Sequence, residues 1–183
     1  MNHLKETTKT SEKLFSGRII DLYLEEVELP NGKTSTREII KHPGAVAVLA
    51  LTKDKKLVMV QQYRKAMERV LVEIPAGKLE KGELPEVTAK RELEEETGYT
   101  TQSLQHLISF YTSPGFADEL VHVYYTDDLH VLEEKAELDE DEFVDVLEVT
   151  LEEAQQLIDE QRIFDAKTAY AVQYLQLKQA LQR

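Results

Sequence analysis

The stretch from residue 77 to residue 99, GKLEKGELPEVTAKRELEEETGY, constrains this chain more than any other part of its sequence. It begins with a glycine-rich loop. Pro85 suits the first turn of a helix, and Gly98 suits the position where a helix ends. The pattern therefore predicts a helix of about three turns over residues 86–97.

Three carboxylates lie on one face of this predicted helix. Glu92 is three residues from Glu95 and four from Glu96, and side chains at these spacings are neighbours on a helix surface. Each pair of like charges at these spacings destabilises a helix by about 0.2–0.5 kcal/mol. A divalent cation would relieve that repulsion, and hard carboxylate oxygens suit Mg²⁺ or Mn²⁺. Helix chemistry alone favours the simpler alternative, an acidic face exposed to water.

The composition of the chain excludes several classes of protein. Its 183 residues suffice for one compact domain with a small appended unit. The absence of cysteine rules out disulfides and thiolate metal sites, and the histidines show no spacing typical of zinc ligands. A net charge of −13 argues against binding nucleic acid or an anionic membrane. With no apolar run near the ~20 residues of a membrane span and no signal core, a cytoplasmic protein is expected.

The order of patterns predicts an α/β fold, a mixed β-sheet between helices. Residues 1–13 are polar and are expected to lack stable structure. A small antiparallel β unit is predicted over 14–41, and a boundary at 43–44 divides an N-terminal unit, 1–43, from a main domain, 44–183. The continuous apolar run at 45–51 predicts a buried central strand. Further strands are predicted at 57–63, 70–74, 104–111, 119–125 and 143–149, and further helices at 150–161 and 166–181.

The opening stretch also resembles the signature of the Nudix hydrolase family. In that signature, glycine, glutamate, an Arg-Glu pair, a Glu-Glu pair and a second glycine recur at fixed spacing. The matching positions are Gly77, Glu83, Arg91, Glu92, Leu93, Glu95, Glu96, Gly98 and Tyr99. Tyr99 stands where an aliphatic residue is more usual. The resemblance implies a Nudix fold and reverses the preference for a merely solvated helix face.

A second resemblance concerns the substrate. Pro114 lies fifteen residues beyond Tyr99, as in the ADP-ribose pyrophosphatase branch of the family, of which GDP-mannose hydrolases are close relatives. The segments 140–143 and 165–167 are also similar to that branch. The resemblance implies hydrolysis of the diphosphate of ADP-ribose to AMP and ribose 5-phosphate by a metal-activated water.

The resemblance assigns metal ligation to Glu92 and Glu96, with Glu95 between them and the backbone carbonyl of Ala76 as a further ligand. Mg²⁺ is the expected ion, with Mn²⁺ as a possible substitute. Arg91 is expected to orient the carboxylates, and Glu83 to pair with that arginine or to lie outside the ligands.

The general base is expected in the acidic loop rather than in the helix, as in related pyrophosphatases. Glu142 is the first candidate, for a catalytic role and as an additional metal ligand, and Glu140 is the second; Glu95 is a third candidate catalytic residue. The alternative for all loop carboxylates is a solvated acidic segment.

Substrate contacts are expected from several short segments. The planar fork of Arg64, at a strand end, suits a phosphate or ribose, although an ordinary surface ion pair is an equal alternative. In proteins that this chain resembles, the N-terminal unit exchanges across a homodimer and helps to hold the adenine side. The candidate substrate-binding residues are Arg18, Ile19, Arg37, Glu38, Arg64, Lys78, Ser113, Gly115 and Glu119.

Three other functions stay open at this point. The chain could hydrolyse another nucleoside diphosphate sugar such as GDP-mannose. It could also bind ADP-ribose without cleaving it, or be a structural acidic protein with no ligand. No nucleic-acid or membrane partner is expected.

Overall fold

The computed structural model describes residues 2–134 and 143–181. Its backbone contacts divide the chain into two compact units, residues 1–44 with 110–120 and residues 45–109 with 121–183. The segment 110–120 thus belongs to the same unit as the N-terminal residues. No local sequence pattern indicates this grouping. The assignment of two domains meeting at residue 43 stays a prediction.

The first unit contains an antiparallel sheet of three strands in the order β1-β2-β3. The strands are β1 (Thr7–Ser16), β2 (Asp21–Glu28) and β3 (Thr34–Lys41). The predicted β unit is therefore present, but the expectation that residues 1–13 lack structure is wrong from Thr7 onward. Every residue of β1 is exposed, and the strand is held by pairing with β2, from Thr7 opposite Glu28 to Ser16 opposite Asp21.

The second unit is built on a mixed sheet of seven strands. Its path runs β12-β5-β4-β10-β9, with β6 paired to β5 and β7 to β4. The strands are β4 (Ala45–Leu51), β5 (Leu57–Arg64), β6 (Arg69–Glu73), β7 (Ala76–Lys78), β9 (Gln105–Tyr111), β10 (Leu120–Thr126) and β12 (Val144–Val149), while β8 (Tyr99–Thr101) pairs separately with β11 (Leu129–Val131). The central strand β4 is parallel to β10 and antiparallel to β5 and β7. The predicted mixed sheet is confirmed.

In the described part of the chain, three α-helices accompany the sheet: α1 (Pro85–Thr97), α2 (Leu151–Asp159) and α3 (Ala166–Leu181). Ala89 and Leu93 of α1 pack with Val46 and Val48, which lie on one face of β4. On the opposite face, the ring of Tyr125 lies 6.4 Å from Tyr174 of α3. Within the described ranges, no helix is long and apolar enough to cross a membrane.

Candidate active site

Two of the three predicted metal ligands of α1, Glu92 and Glu96, are buried next to β7, whereas the Glu95 side chain is 28% exposed. Glu92 is 6% exposed and Glu96 is 2% exposed. The backbone N–H of Ala76 donates a hydrogen bond of 2.9 Å to Oε2 of Glu96. At Gly77 a Cβ atom would lie only 2.0–2.3 Å from the carboxylate atoms of Glu92. Strand β7 therefore needs glycine at this position, because the backbone of Gly77 lies directly against the acidic face of the helix.

Arg91 contacts three carboxylates at this site. Its Nη1 lies 2.9 Å from Oε1 of Glu92 and 2.8 Å from Oε2 of Glu95, and its Nη2 lies 3.2 Å from Oε2 of Glu83. Burial alone would lower the pKa of Arg91, but the hydrogen bond to Glu83 and the charge of Glu92 outweigh it and raise that pKa. Three carboxylates thus share one guanidinium, and the group keeps an excess of negative charge.

Glu83 has the role expected of a partner of Arg91. It also accepts a hydrogen bond of 2.8 Å from the hydroxyl of Thr88. The hydrogen bond from Arg91, followed by that from Thr88, holds the pKa of the Glu83 carboxyl below its usual range. Glu83 therefore stays ionised and fixes the arginine from the loop side.

The residues present fit a divalent metal ion. Carboxylate and backbone carbonyl oxygens are the donors that Mg²⁺ and Mn²⁺ prefer, and the excess negative charge around Arg91 calls for a cation. Among residues 2–134 and 143–181, no three His, Asp or Glu side chains converge on one point as a ready metal centre. The predicted ligands Glu92, Glu95 and Glu96 therefore do not meet as such a centre in this structure, and their metal ligation stays a prediction.

The other residues of the signature shape the helix and its end. Leu93 is fully buried in the core. Gly98 ends α1 in the left-handed conformation with φ of 73°, and its N–H bonds to the carbonyl of Glu94. Tyr99 begins β8, and its hydroxyl donates to Glu148 over 2.5 Å. That hydrogen bond, with burial, raises the pKa of Tyr99 to about 12.

A second charged cluster, which sequence reasoning missed, centres on Glu73 at the end of β6. Arg64 donates two hydrogen bonds of 2.7 Å each to its carboxylate, from Nε and Nη2. The ammonium of Lys167 lies 2.5 Å from Oε2 of Glu73 and 2.9 Å from Oδ1 of Asp165. Glu73 is 2% exposed. Burial alone would raise its pKa, but the Arg64 hydrogen bonds and the charge of Lys167 lower it to about 2.

The remaining predicted site residues have varied surroundings. In the second unit, Lys78 is exposed on β7. In the first unit, Arg37 pairs with Glu6 at 2.5 Å, and Glu119 accepts a hydrogen bond of 2.5 Å from the hydroxyl of Thr112. Arg18, Ile19, Glu38 and Gly115 are exposed, and Ser113 is half-buried. The candidate bases Glu140 and Glu142 lie outside the described residues.

Comparison with known proteins identifies the family. Residues 41–171 match the model of the NUDIX domain, and residues 6–40 match that of the nucleoside diphosphate sugar hydrolase N-terminal domain. The chain therefore belongs to the Nudix family, as its signature predicts. The chemistry of this family requires a divalent metal ion.

Individual relatives add detail. The chain is 66% identical to the ADP-ribose pyrophosphatase of Bacillus subtilis, covering 100% of this chain and 98% of the relative. It is 62% identical to a methanol dehydrogenase activator of Bacillus methanolicus, covering 97% and 96%. A GDP-mannose pyrophosphatase of Cronobacter sakazakii is more distant, at 36% identity over 78% of each chain.

The fold has a solved counterpart. A crystal structure of an ADP compounds hydrolase superposes with a TM-score of 0.84, covering 97% of this chain and 96% of that one at 21% identity. At this identity the match concerns the fold, and it confirms the predicted Nudix architecture with its small N-terminal sheet.

Proposed function

We propose that this protein hydrolyses the diphosphate of ADP-ribose, releasing AMP and ribose 5-phosphate. The single observation that carries the proposal is the pair of buried carboxylates, Glu92 and Glu96, packed against the Ala76–Gly77 backbone in an intact Nudix signature. The 66% identity to an ADP-ribose pyrophosphatase over the whole chain supports the choice of substrate. The substrate belongs to the class of nucleoside diphosphate sugars.

In this reaction water adds to one phosphorus and the bridging P–O bond breaks, so that the bridging oxygen leaves with the other phosphate. A bound divalent ion would neutralise the diphosphate and make the water more acidic. Glu92 and Glu96, with the carbonyl of Ala76, would hold that ion, and Mg²⁺ is proposed in preference to Mn²⁺. Arg91 keeps the carboxylates in place through its contacts with Glu92 and Glu95.

Other parts of the mechanism extend the proposal beyond these contacts. Glu142, with Glu140 as the second candidate, is proposed to accept the proton of the attacking water. Arg64 is proposed to contact a phosphate of the substrate. The N-terminal candidates, from Arg18 to Glu38, are proposed to hold the adenine side in a homodimer, and the protein is proposed to act in the cytoplasm.

The test is a panel of nucleoside diphosphate sugars, each assayed with Mg²⁺ and with Mn²⁺. ADP-ribose should give the highest kcat/KM, with AMP as product, and a chelator should abolish turnover. GDP-mannose is the decisive competitor, because its hydrolases are among the relatives. A kcat/KM for GDP-mannose above that for ADP-ribose would overturn the proposed substrate. Saturable binding of ADP-ribose without turnover under either metal would instead indicate a binding module.

A further inference from the structure

We propose that Glu73 is a positioning residue for substrate binding. Its buried carboxylate fixes the plane of the Arg64 guanidinium, so that the free edge of that group binds a phosphate oxygen of the nucleoside diphosphate sugar. This inference rests on the proposed function, because it concerns the same substrate.

The geometry of the Glu73–Arg64 pair supports these two roles. Glu73 accepts two hydrogen bonds of 2.7 Å from Nε and Nη2 of Arg64, which is the bidentate arrangement that fixes a guanidinium plane. The carboxylate is 2% exposed, whereas the Arg64 side chain is 39% exposed. None of the hydrogen bonds among residues 2–134 and 143–181 uses Nη1 of Arg64. One edge of the arginine is therefore anchored by Glu73, and the negative charge of Glu96, a proposed metal ligand, also acts on Arg64.

Lys167 and Asp165 anchor Glu73 from the opposite side. Lys167 bridges the two carboxylates, and Asp165 also accepts a hydrogen bond of 3.1 Å from the N–H of Thr168 in the first turn of α3. Two carboxylates thus meet two cations, although Oδ2 of Asp165 is buried without a hydrogen-bond partner among the described residues. Charge balance distinguishes it from a metal site and agrees with a role in holding Arg64.

A short segment connects this cluster to the proposed metal ligands. The N–H of Ile74, next to Glu73, donates to the hydroxyl of Thr168 over 3.1 Å. Two residues later the N–H of Ala76 donates to Glu96 over 2.9 Å. The same four-residue segment therefore fixes both the anchor of Arg64 and a carboxylate of the metal site.

The first test compares Glu73→Gln with Glu68→Gln. Glu73→Gln keeps the size of the side chain but loses the charge that holds the arginine fork. KM for ADP-ribose should rise about tenfold, while kcat changes by less than about threefold. Glu68→Gln removes the same charge from an exposed pair with Lys65, and its KM should stay within about twofold of wild type. Equal KM values in the two variants would overturn the proposal, because loss of a negative charge from this part of the chain would then explain both.

The second test asks whether Glu73 acts through Arg64. On an Arg64→Ala background, Glu73→Gln should leave KM unchanged, since the group it positions is gone. A further tenfold rise in KM would contradict the proposal. If Glu73→Gln does not fold, Arg64→Lys decides, because it keeps the charge and loses the planar fork. A rise in KM of about tenfold supports positioning, and a wild-type KM overturns it.

The two proposals fail in different ways. A wild-type protein that turns over none of the nucleoside diphosphate sugars refutes the proposed function. An active wild type whose KM is unaffected by Glu73→Gln refutes the positioning role alone.

Discussion

Arg91 and Arg64 each hold carboxylates in the second unit, but the charges around them differ. Arg91 meets three carboxylates, those of Glu83, Glu92 and Glu95. Arg64 belongs to a cluster in which Glu73 and Asp165 are matched by two cations. Glu73 and Glu92 are buried in these clusters, whereas both arginines are partly exposed.

This difference in charge balance helps to distinguish a ligand-binding site from a structural cluster. A buried cluster whose charges balance is satisfied by the protein itself and can serve as a rigid anchor. A buried cluster with too many anions is incomplete without an external cation, and such sites are where function is concentrated. This criterion agrees with the proposals that the carboxylates around Arg91 hold the metal ion and that the Glu73 cluster supports Arg64.

The largest expected effect comes from removing one anion from the metal site. Glu96→Gln should lower kcat/KM for ADP-ribose about 10³-fold, corresponding to about 4 kcal/mol of lost transition-state stabilisation. The rate of AMP release from ADP-ribose measures this loss.

The matched control is Glu94→Gln, on the same helix, where the carboxylate instead accepts a hydrogen bond from Thr100. It should keep wild-type kinetics. Full activity in Glu96→Gln would contradict the proposal that these carboxylates hold a divalent metal ion.

A smaller effect is expected from Gly77→Ala. The added methyl would overlap the Glu92 carboxylate, which would have to move while the backbone stays paired with β4. A displacement near 1 Å of a catalytic group lowers activity about a hundredfold. Steady-state kinetics with ADP-ribose check this.

Gly32→Ala provides the contrast for this variant. Gly32 has φ of 80° and nothing within 4 Å of its Cβ position, so alanine should destabilise the fold by about 1 kcal/mol and leave kinetics unchanged. Wild-type kinetics in Gly77→Ala would show that the close approach to Glu92 does not matter.

The third effect is on stability rather than on activity, and concerns the pH dependence of the Glu73 cluster. The pKa of Glu73 is about 2 in the folded protein against an ordinary value of 4.5. A carboxyl whose pKa is depressed by folding adds stability above its unfolded pKa, and loses that contribution as pH falls through the folded value. Glu73 should therefore contribute on the order of 3 kcal/mol above about pH 5, lost as pH falls towards 2.

Urea unfolding of wild type and Glu73→Gln across this pH range measures the contribution as the difference between the two curves. The difference should shrink as the pH falls. Gly32→Ala, which changes no titratable group, should stay parallel to wild type. A pH-independent difference for Glu73→Gln would remove the basis for treating this cluster as ionised and balanced.

Sequence reasoning recovered the elements whose signals are local. The spacing of carboxylates between Pro85 and Gly98 predicted α1, and the apolar run at 45–51 predicted β4 at its observed bounds. The helix predicted from residue 150 begins with a capping box, in which Thr150 and Glu153 are bonded reciprocally. Each of these signals lies within a few residues of the element it forms.

The features that were missed depend on distant partners. Strand β1 is polar and wholly exposed, so only its pairing with β2 reveals it. The three-residue strands β7, β8 and β11 are too short for a periodic pattern. Glu73 lies in an apolar strand sequence, and its partner Lys167 is 94 residues away. No local pattern identifies such a residue as the centre of a charged cluster.

Strand β4 pairs with β7 through Ala45–Ala47 and with β5 through Ala50 and Leu51, while its other edge pairs with β10. Because of this pairing, the short strand β7 belongs to the central sheet and not to a surface loop. Its backbone protons are therefore expected to exchange only when the sheet itself opens. The backbone that contacts Glu92 and Glu96 thus shares the protection of the most stable part of the fold.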